Sequence, residues 1–272
     1  MLFRSTINSI EVDRREISAI DGIAINVSTT AEAGASNFYK YEYEETYKIV
    51  SRYRFGRDIK YDMVLDSLYD VPKDYEENVC FKTNSSNELI IGSTHELSEN
   101  SVQNKLIHFI PVKDPRISFR YSVEITQLSL SQQQYDYYRT LQEMSVNNSL
   151  FSQTQPGFLS GNIYNENGGQ EAIGLFTVSS VSKNRIFFDF EDFHSPPELP
   201  TYLASECEIL IPDLFDDFER DWLIDLVSND QVKLYDIIPT GIPNVIFYAV
   251  TAPNCIDCRF YGKTETPDFW VE

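Results

Sequence analysis

Phe38-Tyr-Lys-Tyr-Glu-Tyr-Glu-Glu-Thr-Tyr-Lys-Ile-Val50 decides the fold. Along this stretch Tyr39, Tyr41, Tyr43, Tyr47 and Ile49 fall on one side, and Lys40, Glu42, Glu44 and Lys48 fall on the other. Successive Cβ atoms of a strand point to opposite faces, so a period of two with one polar side marks an antiparallel strand with one wet face. The rings on the apolar side read as core rather than as a binding face.

Working outward, residues 22–30 alternate in the same way, with Ile23, Ile25 and Val27 on one face. Further strands are expected at 88–92, 106–112, 117–128, 172–181, 185–190, 207–211 and 244–250. Turn signals at Gly34, 84–87, Lys113-Asp114-Pro115, Asn167-Gly168-Gly169 and Ser182-Lys183-Asn184 separate them. Residues 172–190 read as a hairpin closed at Lys183-Asn184, and 55–78 has weak periodicity and reads as a long insertion. Two helices interrupt the strands. The first starts at Ser131, which forms a capping-box pattern with Gln134 ahead of Tyr137, Leu141 and Met144 at helical spacing. The second covers 214–227, where Leu214, Phe218, Trp222 and Leu226 make an apolar stripe with Asp216, Asp217, Asp221 and Asp225 mostly off it. Many short strands with frequent turns predict a mainly β chain, an antiparallel β-sandwich of the fibronectin-III-like kind with one or two inserted helices.

Composition narrows the function classes. Of 272 residues, 42% are hydrophobic, enough for a core, and 14% are aromatic, which suits pleated, half-buried surfaces. The net charge of −20 repels phosphate backbones and anionic membrane surfaces, so nucleic acid is not an expected partner. No stretch approaches the roughly 20 apolar residues that span a bilayer. The opening MLFRSTINSI carries no apolar run fit for a signal peptide, so the chain is either cytoplasmic or lacks its original beginning.

Four cysteines, Cys80, Cys207, Cys255 and Cys258, fit two disulfides with three connectivities open. Only Cys255-Ile-Asp-Cys258 has a metal-like or redox-like spacing, and it follows a strand near the C-terminus rather than opening a helix. His95, His108 and His194 share no ligand spacing, so neither a metal nor a cofactor is expected. Nucleophile elbows and phosphate-binding loops are missing from the sequence. Asp213, Asp216, Asp217, Asp221 and Asp225 recur at helical spacing and read as a solvated helix face, without the alternating ligands of a calcium loop. No catalytic residue is expected. Tyr135, Tyr137 and Tyr138, crowded on the first helix, are the candidate binding aromatics.

The motifs also occur in a familiar order. Cys80-Phe-Lys-Thr-Asn, Leu89-Ile-Ile-Gly-Ser-Thr and Leu97-Ser precede Arg120-Tyr-Ser-Val-Glu-Ile-Thr-Gln-Leu-Ser-Leu-Ser. Gln155-Pro156, Gly161-Asn162-Ile163, Gly174-Leu-Phe-Thr-Val-Ser and Lys183-Asn-Arg185-Ile follow. Cys255-Ile-Asp-Cys258-Arg and Pro267-Asp-Phe-Trp270 close the series. This order resembles the family catalogued as domain of unknown function 4249. The resemblance implies an exported, lipid-anchored envelope protein of a Gram-negative bacterium, at the outer membrane or cell surface. It implies a TonB-dependent outer-membrane receptor as partner and supplies no catalytic residues. It also implies a preceding β-sandwich, which makes residues 1–20, with Ile7-Asn-Ser-Ile10, a linker from a missing N-terminal domain, and 21–272 a single sandwich domain with long insertions. The functional expectation is a non-catalytic binding or receptor-accessory protein. The alternative is a carbohydrate-active hydrolase using paired carboxylates, whose separation only a fold can give.

Overall fold

The computed structural model describes residues 5–31, 34–146, 161–163, 165–166, 174–243 and 245–272. The chain is mainly β, with antiparallel sheets and two α-helices, and it divides into two compact units. The first unit comprises residues 1–45, 84–112 and 122–187; the second comprises 46–83, 113–121 and 188–272. One domain over 21–272 was expected, but the division falls inside the diagnostic strand itself, between Glu45 and Thr46.

In the first unit, β1 (Ser5–Ile17), β2 (Ile20–Ala31) and β8 (Ser101–Pro111) form a three-stranded sheet in the order β1-β2-β8. Residues 5–17, expected as linker, are paired with β2 along their length, from Ser5↔Ala31 to Ile17↔Ile20. The hairpin turns on Ser18 and Ala19, both at positive φ (52° and 64°). Gly22 follows, where a Cβ would lie 2.4 Å from the Phe109 ring and 2.6 Å from the Ile110 carbonyl oxygen. Gly22 is therefore required for close approach of β8 rather than for the turn.

A second sheet has the order β10-β9-β3-β6, with β7 also on β3. Its strands are β3 (Phe38–Val50), β6 (Val79–Ser85), β7 (Ile90–Ser93), β9 (Arg120–Leu130) and β10 (Val181–Asp189). Within the first unit the two sheets meet face to face. Thr29 of β2 donates to Gln127 Oε1 of β9 at 2.6 Å, and Gln127 Nε2 donates to Ser5 Oγ at 2.8 Å. The sandwich core holds Ile23, Ile25 and Val27 from β2 with Tyr39 and Tyr41 from β3 and Val123 and Ile125 from β9. Glu45 shares the core side of β3, where it accepts from Asn84 Nδ2 at 3.0 Å and lies 3.7 Å from His108 Nε2.

The expected hairpin over 172–190 is corrected. Residues 171–173 lie outside the described residues, and Lys183-Asn184 sit inside β10 rather than in a turn. Lys183 donates to Glu124 at 2.8 Å, and Arg185 reaches Glu124 and Glu44 at 3.3 and 3.4 Å. These pairs give the polar side of a straight strand its partners, so the turn-like dipeptide stays extended. After β9, α1 (Gln132–Val146) starts with the expected capping box: Gln134 N–H donates to Ser131 Oγ at 3.3 Å, and Ser131 N–H donates to Gln134 Oε1 at 2.7 Å.

The second unit contains the hairpin β4 (Arg57–Asp62) and β5 (Ser67–Pro72), which occupies the stretch read as an insertion. It also contains the sheet β11-β13-β12, from β11 (Ile209–Leu210), β12 (Lys233–Pro239) and β13 (Ile246–Thr251), and the helix α2 (Asp217–Ser228). Ile59, Leu223, Val227, Val232, Leu234, Tyr248 and Val250 form the core that joins hairpin, helix and sheet.

Candidate functional site

α2 begins where its sequence supplies donors with acceptors. Asp216 caps it, accepting from the N–H groups of Phe218 and Glu219 at 3.0 Å each. Glu219 reaches back to accept from Asp213 N–H at 2.7 Å, and the acidic first turn complements the positive end of the helix dipole.

The apolar stripe read from the sequence, Leu214, Phe218, Trp222 and Leu226, is not the core face. Leu223 is 0% exposed and Val227 is buried with it, while Leu214 and Leu226 only flank the cluster. Phe218 is 81% exposed and Trp222 41%. The reason is the packing partner. Ile59 of the hairpin and Val232, Leu234, Tyr248 and Val250 at the sheet receive Leu223 and Val227, and at the edge of this contact Arg220 donates to Asp66 Oδ2 at 2.6 Å at the β4–β5 turn. Phe215, also exposed, meets Phe247 edge-on at 5.8 Å. Asp213, Asp216, Asp217, Asp221 and Asp225 are all exposed beside these rings. The β4–β5 turn adds Met63, Val64 and Leu65, each strongly exposed, with Asp62 Oδ1 accepting from the N–H groups of Val64 and Leu65. Exposed rings can anchor a contact and the carboxylates beside them can bias its charge, which is what this arrangement offers chemically.

Behind the hairpin lies an ion cluster that sequence reading missed. Glu77 is buried and accepts from Lys73, with Lys233 at 3.4 Å and Arg259 at 3.5 Å. Asp58 lies 3.6 Å from Lys73 and 3.7 Å from Lys233, and Asp257 takes Arg259 at 2.7 Å. Burial disfavours the Lys233 ammonium, yet Glu77, Tyr75 and Asp58 together outweigh it and hold its pKa above the usual lysine range. These residues are scattered in sequence, and no local pattern announces them.

The four cysteines pair as Cys80–Cys258 and Cys207–Cys255, with Cα separations of 5.6 and 5.8 Å, typical disulfide geometry. The Cys-x-x-Cys is therefore shared between two bridges. The tyrosines of α1 are half-buried: Tyr135 meets Phe38 at 4.9 Å, Tyr137 meets Tyr138 edge-on at 5.8 Å, and the Lys40 ammonium lies 4.9 Å from the Tyr138 ring. The histidines lie apart. His95 stacks on Phe38, His108 packs on Tyr43, and His194 stacks on Phe190 at 3.9 Å. Among the described residues no group of three or more His, Cys, Asp or Glu could hold a metal ion, and no helix is long and apolar enough to cross a membrane.

Fold and site together define a disulfide-bridged, mainly β protein with antiparallel sheets and an exposed aromatic helix face. Residues 4–185 match the family model described as domain of unknown function (DUF4249). That is more than half of the chain, and the protein belongs to this family. The matched region includes β1, and it ends before α2 and before three of the four bridged cysteines. No curated protein and no solved structure matches the chain.

Proposed function

We propose that this is a non-catalytic binding protein of the cell envelope, an accessory that docks on a TonB-dependent receptor of the outer membrane. The observation that carries the proposal is the α2 face, where Phe218 is 81% and Trp222 41% exposed on a helix that buries Leu223 and Val227 on its other side. Exposed aromatic rings at the centre of a polar surround are the usual anchors of protein contacts. The acidic side chains beside them favour a partner with a basic rim around an apolar groove. Two disulfides suit an oxidising compartment such as the periplasm or cell surface.

The test is co-purification of the tagged full-length protein from detergent-solubilised outer membrane, with mass-spectrometric identification of what accompanies it. A TonB-dependent receptor is expected with the native protein and is expected to be lost with Phe218→Ala, while the melting curve is kept. Recovery of the native protein alone, or equal receptor recovery with Phe218→Ala, overturns the proposal.

A further inference from the structure

Away from the helix face, a cleft of about 480 Å³ opens in the second unit between the β4–β5 hairpin and residues 227–233. That volume lies in the range of small-molecule sites. Three tyrosine rings, Tyr61, Tyr69 and Tyr75, line it, and of these Tyr69 is 41% exposed and Tyr75 39%. Lys60 lies opposite Tyr69 in the hairpin register, so the ring and the ammonium stem share one side of the ribbon.

Tyr75 is held in place from several directions. Its hydroxyl donates to Asp58 Oδ2 at 2.5 Å and accepts from Lys233 Nζ at 3.3 Å, and the Arg259 guanidinium lies 4.8 Å from its ring centroid. The ring is thus fixed by the ion cluster before any ligand arrives, which lowers the ordering cost of binding.

The polar groups of the cleft decide the ligand class. Asp58 and Asp230 are matched by Lys60 and Lys233, so the lining is neutral in a chain of net charge −20. An anionic or cationic ligand would meet no unmatched countercharge. Carboxylates that accept, ammonium groups that donate and a phenol that does both suit hydroxyls, which also donate and accept. Flat rings beside them suit an apolar C–H face. A molecule with one apolar face and a rim of hydroxyls combines both requirements. We infer that the cleft binds a neutral saccharide of one or two rings, stacked on Tyr69 and hydrogen-bonded at Asp58 and Lys233.

The inference stands apart from the docking proposal, because Tyr69, Tyr75, Asp58 and Lys233 are not part of the helix face, although Met63 of the β4–β5 turn borders both. It is tested by isothermal titration calorimetry of the full chain with maltose and with cellobiose. Saturable binding of at least one disaccharide is expected. Tyr69→Ala should weaken it about tenfold through loss of one stacking ring, and Tyr69→Phe should retain it. Tyr69→Phe should keep the native melting temperature, Tyr69→Ala should lower it but remain folded at the titration temperature, and receptor co-purification should be unchanged in both. No heat of binding with either sugar overturns the inference, and so does an unaltered affinity in Tyr69→Ala. Loss of receptor co-purification with sugar binding intact would strike only the docking proposal.

Discussion

Alanine placed at Leu223 and at Phe218 should separate the two sides of α2. Leu223 is fully buried among Ile59, Val227, Val232, Leu234, Tyr248 and Val250. Four of these six neighbours are β-branched and stiff at χ1, so the space left by the truncated side chain can close only in part. Leu223→Ala should therefore cost about 3–5 kcal/mol, the upper part of the range for core leucines. Phe218 has only about a fifth of its surface covered, and a full Phe burial is worth about 3 kcal/mol, which gives a loss of about 0.5 kcal/mol. Alanine's better helix propensity returns about the same amount. Thermal unfolding by circular dichroism, with the disulfides intact, reads both. At roughly 2–4 °C per kcal/mol for a chain of this size, Leu223→Ala should lower the midpoint by roughly 6–20 °C. Phe218→Ala should leave it within about 2 °C. If Phe218→Ala destabilises as much as Leu223→Ala, the ring is part of the core, and the docking face loses its basis.

Three other outcomes follow from named contacts. Glu77→Gln breaks a buried ion cluster, a loss of roughly 3–5 kcal/mol, but Asp58 and Asp257 still hold the cations, so about 3 kcal/mol is expected. Urea unfolding should also show that adding Lys73→Met restores part of the loss, and additive costs would refute the coupling. The hydrogen bond from Lys183, against partial burial and with help from Arg185, holds the Glu124 carboxyl below the usual glutamate range. Its contribution is present above an unfolded pKa of about 4.3 and is lost as pH falls through the lower folded value. The stability deficit of Glu124→Gln at pH 7 should shrink toward pH 3, and an equal deficit at both would contradict the assignment. Removing Cys80–Cys258, which closes a separation of 178 residues, should cost about 1 kcal/mol more than removing Cys207–Cys255, which closes 48, on the chain-entropy account. Paired serine variants in denaturant titrations measure the difference, and a reversed order would point to native-state enthalpy instead.

What sequence reading could reach depended on how local the deciding physics was. β3 was legible to its ends because its alternation runs through thirteen residues. The capping box at Ser131 was legible because donor and acceptor lie three residues apart. The β1–β2 hairpin escaped because Ser18 and Ala19 occupy left-handed positions usually taken by Asn and Gly. β4 and β5 escaped because charges interleave with their apolar residues, as in Arg57-Asp-Ile-Lys-Tyr-Asp62. In α2 the helix itself was legible and its orientation was not. Leu223 and Val227 compete with Phe218 and Trp222 as equally apolar pairs, and only the hairpin and β12–β13 decide between them. The cysteine partners were beyond reach for the same reason, since spacing along the chain does not say which Cα atoms come within bridging distance. The proposed docking face and cleft both belong to this non-local class: Arg220 meets Asp66, and Lys233 meets Tyr75, across 154 and 158 residues.

The bridge between Cys80 and Cys258 also sets how the protein bears tension. A pull applied at the two ends of the chain runs through this covalent link, and everything between the two cysteines is shunted out of the load path. α2 and the sheet β11-β13-β12 lie in the shielded loop, whereas β1, β2, β3 and the β4–β5 hairpin lie outside it. Only about a third of the 272 residues can then pay out as extended chain, at roughly 3.3–3.6 Å each. A chain built this way can be stretched from its ends while its aromatic helix stays unstrained, and reduction of Cys80–Cys258 alone would lengthen its reach roughly 2.4-fold, because Cys207–Cys255 still closes its own loop.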